Sequence, residues 1–129
     1  MINPNSNSQR RILLVDDDVT LRTMLGLALA DEGYAVTHAD NGNDAVLLHD
    51  QNPFDLIITE LLLDEKNGFQ TLMQLRRHSR PVKIIATAKE DFTTNDLCLR
   101  MARHLGAHGV LAKPFQPETL LASVRQALG

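Results

Sequence analysis

Residues 12–20 read Ile-Leu-Leu-Val-Asp-Asp-Asp-Val-Thr, four apolar residues running straight into three consecutive acids. A short apolar run bounded by polar residues reads as a buried strand. Four further runs follow along the chain: Tyr34–Ala39, Leu56–Thr59, Val82–Ala88 and Gly109–Ala112. Between them lie stretches of helical period, marked by Leu21, Met24, Leu25 and Ala28, by Phe69, Leu72, Met73 and Arg76, by Leu97, Met101 and Leu105, and by Leu120, Leu121, Val124 and Leu128. A shorter helix fits Asn43–Asp50. Gly33 and Gly106 stand where helix carboxyl ends need positive φ, Pro117 suits a first helical turn, and Pro53 and Pro81 precede strands. Strands alternating with helices predict an α/β fold, a doubly wound five-stranded parallel sheet with five helices on its two faces. Ligands of such sheets bind at the carboxyl ends of the strands.

The chemistry-bearing residues fall at those ends. Asp16, Asp17 and Asp18 close the first strand, Glu60 follows the third, Thr87 and Ala88 the fourth, and Lys113, Pro114 and Phe115 the fifth. Crowded carboxylates repel one another unless a cation intervenes, and hard oxygen ligands around a small cavity suit Mg²⁺. Asp18 reads instead as the cap of the following helix. Thr87 and Lys113 opposite the acids form a set able to hold a metal and a phosphoryl-like anion together.

With these residues in place the sequence resembles the receiver domain of two-component response regulators, from Arg10 to Gly129. The resemblance rests on the acidic pair Asp16 and Asp17, on Thr87-Ala88, on Lys113-Pro114-Phe115, and on Gly68, eight residues beyond the phosphoacceptor position. It implies a flavodoxin-like fold with strand order 2-1-3-4-5. It further implies Mg²⁺ held by Asp16, Asp17, Glu60 and the backbone carbonyl of Leu62, with Thr87 and Lys113 contacting the acceptor. A histidine kinase or phosphotransfer protein would be the phosphodonor. The output would be contact with a protein partner through the face of helix four, strand five and helix five, the chain acting alone as a monomer or weak homodimer.

Two departures from the family pattern stand out. Eight residues before Gly68 lies Glu60, where the family carries Asp. The extra methylene advances the carboxylate by about 1.5 Å, and in-line phosphoryl transfer depends on positioning. Efficient acyl phosphate formation on Glu60 is therefore not expected, whereas direct pairing of Glu60 with Lys113 is. That pair would imitate the phosphorylated state only in part, one charge standing for about two. Three residues before Lys113, where the family places an aromatic reporter, is Val110. The alternatives are a conventional receiver accepting on Glu60 or Asp64, and a phosphatase of the haloacid dehalogenase type. The latter's DxDxT signature fits Asp16, Asp18 and Thr20, with Asp16 as nucleophile.

Composition narrows the remaining classes. Of 129 residues, 13 are Lys or Arg against 16 Asp or Glu, a formal charge of −3 that disfavours direct nucleic-acid binding. One cysteine, Cys98, excludes an intrachain disulfide, and no apolar run approaches the length of a membrane span. A cytoplasmic location is expected, with residues 1–9 as a polar, disordered tail and residues 10–129 as the receiver domain. His38, His49, His78, His104 and His108 read as surface residues. Arg76, Arg77, His78 and Arg80 read as cations complementing a helix carboxyl end.

Overall fold

Strand β1 (Arg11–Val15) is an interior strand with two apolar faces, Ile12 and Leu14 on one side and Leu13 and Val15 on the other. In the computed structural model, which describes residues 10–61, 68–78, 81–89 and 96–129 (side chains of 96–99 excepted), it pairs in parallel with β2 (Ala35–Ala39) and β3 (Leu56–Glu60). The sheet continues through β4 (Lys83–Lys89) to β5 (Gly109–Lys113), in the order 2-1-3-4-5. All five residues of β3 are buried. Both β1 and β3 have a neighbour on each side, the interior position that strands with two apolar faces take.

Five helices are described: α1 (Val19–Asp31), α2 (Gly42–Gln51), α3 (Gly68–Arg76), α4 (Asp96–His104) and α5 (Pro117–Leu128). Helices α1 and α5 cover one face, where Leu25, Leu29, Leu120 and Val124 pack on Ile12, Leu14, Ile58 and Ile85. Ala45, Leu72, Leu75 and Ala102, from α2, α3 and α4, close the opposite face over Leu13, Val15, Ile57 and Ala86. The element ends follow local chemistry. Asp18 caps α1, its carboxylate accepting the Leu21 N–H at 3.1 Å, and Asn41 caps α2 through the Asp44 N–H at 2.8 Å. Gly33 and Gly106 adopt φ of 96° and 107°, as their positions require.

Three expectations are corrected. Met24, Met73 and Met101, placed by periodicity on buried stripes, are substantially exposed. In α1 apolar residues surround the helix, so period alone does not choose the inward face; Leu25, Gly26 and Leu29 take it. His49, expected at the surface, is fully buried, its Nδ1 accepting the Phe54 N–H at 3.1 Å. That bond supplies the partner a buried ring nitrogen needs. Third, His78, also expected at the surface, is largely covered, its side chain 15% exposed, and it bridges to Asp50 at the end of α2. Residues 1–9, Arg80 and the Cys98 side chain lie outside the described residues.

Gly68 controls how the chain leaves β3. Its N–H donates to Leu61 O at 2.9 Å, and a Cβ there would stand 2.4 Å from both Leu61 Cα and Leu61 O. Backbone cannot yield as a flexible side chain can. Gly68→Ala is expected to destabilise the fold by about 1–3 kcal/mol, the usual cost of forced overpacking, in urea unfolding. An unchanged midpoint would show that the approach at Leu61 is not tight.

Candidate functional site

The register of the sheet brings the acids and the lysine together. Val15 pairs with Thr59, Glu60 with Thr87, and Lys89 with Lys113, so the residues that close β1, β3, β4 and β5 share one edge. Asp16, Glu60 and Thr87 are buried there, whereas Asp17 is exposed. A peptide in the cis form joins Lys113 to Pro114.

Lys113 Nζ donates to Asp16 Oδ2 and to Glu60 Oε2, each at 2.6 Å. Asp16 Oδ1 accepts the Asp18 N–H at 2.8 Å, so both oxygens of Asp16 are engaged. Glu60 Oε1 is buried and has no hydrogen-bond partner among the described residues. Oxygens of Asp16, Asp17 and Glu60 lie within 4.8 Å of one another, the only such group among the described residues. Three carboxylates facing one ammonium leave negative charge in excess. Burial pushes the Glu60 carboxyl up to about 7, against the opposing hydrogen bond from Lys113 and with the help of the Asp16 charge. Burial alone would lower the Lys113 pKa, but the hydrogen bonds to Asp16 and Glu60 outweigh it and raise the pKa above its ordinary value.

An orphaned buried carboxylate oxygen beside two further carboxylates is the donor set a hard divalent cation takes, so the residues fit Mg²⁺. The expected ligand Leu62 and the alternative acceptor Asp64 lie outside the described residues. Thr87 stands beside Glu60 in the sheet register. Val110 is half-buried against the core under α4.

Two neighbours were not singled out in the sequence. Arg22, one turn into α1, donates from Nη1 to the Asp16 backbone carbonyl and so anchors the strand end. Lys89 lines the same cleft of about 520 Å³ as Asp17, Glu60, Lys113 and Phe115. The signal for Lys89 was its place at a strand end. For Arg22 there was none beyond a cation following the acids.

Comparison with known proteins agrees with this geometry. The family model described as the response regulator receiver domain matches residues 12–125. The transcriptional regulatory protein CpxR of Klebsiella pneumoniae is 38% identical over 119 residues, which cover 92% of this chain and 49% of that protein. A probable transcriptional regulator ycf27 of Cyanidium caldarium is 31% identical, covering 98% of this chain and again 49% of the relative. The chain thus spans about half the length of the curated relatives it matches. Among solved structures, the chemotaxis response regulator CheY4 of Vibrio cholerae superposes with a TM-score of 0.84 at 30% identity, over 92% of this chain and 98% of that one. A five-stranded sheet in this order, its acids and lysine gathered at one edge, and a family match over nearly the whole chain have one reading: the chain belongs to the response regulator receiver domains of two-component signalling.

Proposed function

We propose that this receiver carries Glu60 at its phosphoacceptor position, that phosphoryl transfer to it is impaired, and that it signals by protein contact. The observation that carries this reading is the 2.6 Å bond from Lys113 Nζ to Glu60 Oε2. In a conventional receiver the lysine engages the phosphoryl group; here the longer carboxylate already occupies it. Transfer also needs an acceptor oxygen in line with the donor, and the added methylene of Glu60 shifts that oxygen by about 1.5 Å. Asp16, Asp17, Glu60 and the Leu62 carbonyl would hold Mg²⁺, which when bound supplies positive charge to the clustered oxygens. The partner surface is the face of α4, β5 and α5, with Val110 in place of an aromatic reporter, and a histidine kinase or phosphotransfer protein is the upstream partner. The phosphatase alternative with Asp16 as nucleophile is the weaker one, because the family match to receiver domains runs through residues 12–125.

Three outcomes test this reading. Incubated with acetyl phosphate and Mg²⁺, the wild type should keep its intact mass while Glu60→Asp gains one phosphoryl group; labelling of the wild type would show that Glu60 or Asp64 accepts. Lys113→Ala should tighten divalent binding by about tenfold or more, because it frees two oxygens from a competing cation. Equal affinity in a Mn²⁺ titration would show that the ammonium does not compete. Finally, a carboxyl whose folded pKa of about 7 exceeds its ordinary 4.5 binds a proton in the folded state where the unfolded chain has lost it. Stability without metal should then be fully present below the ordinary value and fall as pH rises towards 7. Glu60→Gln should flatten that fall in urea melts taken across the window.

A further inference from the structure

The edge of the sheet opposite the acids carries a second, differently charged cavity of about 600 Å³. Arg10 precedes β1, Lys83 begins β4, His108 precedes β5 and Arg76 ends α3, and all four line it. Neither Arg76 nor Lys83 forms an ion pair with any described residue, and Arg10, also without one, donates from Nη1 to the Leu128 carbonyl at 3.2 Å. The one carboxylate among the lining residues, Asp55, has Oδ2 engaged by the Arg11 N–H at 2.8 Å. In a chain of net charge −3 with 16 acidic residues, unpaired cations gathered around one space are a local reversal of sign. His108 registers it: burial first, then the Lys83 and Arg76 charges, hold its pKa below the ordinary value. Its Nδ1 accepts the Ile84 N–H at 3.1 Å, which leaves Nε2 to carry the proton of the neutral ring as a donor.

The apolar lining that reaches the surface is Pro81, Val82, Ala127 and Leu128, with Phe54, Leu75 and Ile84 buried beneath it. A purely inorganic anion would leave this surface wet, and a purely apolar ligand would leave the cations unanswered. The volume falls in the range of small-molecule sites, about 300–1,000 Å³. We propose that this cavity binds an organic phosphate of mononucleotide size, its phosphates on Arg76 and Lys83 and its planar body on the apolar floor. The site is separate from the acid–lysine cleft, so its occupancy does not depend on Glu60 or on a metal.

The test is calorimetric titration of the full chain in EDTA, which keeps divalent cations from carrying phosphates to the acidic edge. The probes are ADP, adenosine and pyrophosphate. ADP is expected to bind saturably, adenosine and pyrophosphate at least about tenfold more weakly, and Arg76→Gln and Lys83→Gln each to weaken ADP by about tenfold, the loss of one charge contact. Both positions are exposed, so the fold should tolerate the changes. A movement of the His108 ring resonances on adding ADP to the wild type gives a readout independent of any variant. Absence of saturable ADP binding, or ADP affinity unchanged in both variants with His108 unmoved, would overturn the proposal. Pyrophosphate binding as tightly as ADP would overturn the role of the apolar floor.

Discussion

One ammonium group holds the acidic edge of this sheet together. Asp16 and Glu60 are both removed from water, and a buried carboxylate costs several kcal/mol unless a partner answers it. Lys113 Nζ answers both at once, from the far side of the sheet. The answer is incomplete, since one cation faces three acids and Glu60 Oε1 is left without a partner among the described residues. That residue of unbalanced charge makes the edge receptive to a cation. Burial first, and then the Asp16 charge, explains why the carboxyl of Glu60 holds its proton to higher pH than usual, even with a lysine in contact.

The same parallel topology that collects acids at one edge collects bases at the other. Strand carboxyl ends supply Asp16, Glu60 and Lys113; strand amino ends and their approaches supply Arg10, Lys83 and His108. The core between them is apolar through its thickness, with Ile12, Leu14 and Ile58 under one helical layer and Leu13, Val15 and Ile57 under the other. Two sites of opposite sign therefore sit on one rigid sheet without sharing a side chain.

Much of this was legible in the residues. The apolar runs and their spacing placed all five strands to within a residue or two, because strands buried on both faces leave little freedom of pattern. The acids and Lys113 were found because each ends a run. His49 was not, since a histidine in an amphipathic helix does not declare whether a backbone N–H awaits it, and the Phe54 N–H does. Nor did periodicity place Met24, in a helix with apolar residues all round. The second edge had no signature at all: Arg10, Arg76, Lys83 and His108 are scattered along the chain, and only the folded sheet makes them neighbours. That Lys113 would hold Asp16 as well as Glu60 also required the register of four strands at once.

The central claim is that Lys113 and Glu60 act as a pair. A double-mutant cycle with Lys113→Met and Glu60→Gln, followed by urea unfolding at pH 8 without metal, measures that coupling directly. Glu60→Gln should stabilise the Lys113→Met background by about 1–3 kcal/mol more than it stabilises the wild type, the range for groups in direct contact. Effects that add to within about 0.5 kcal/mol would contradict the pair and with it the account of the site.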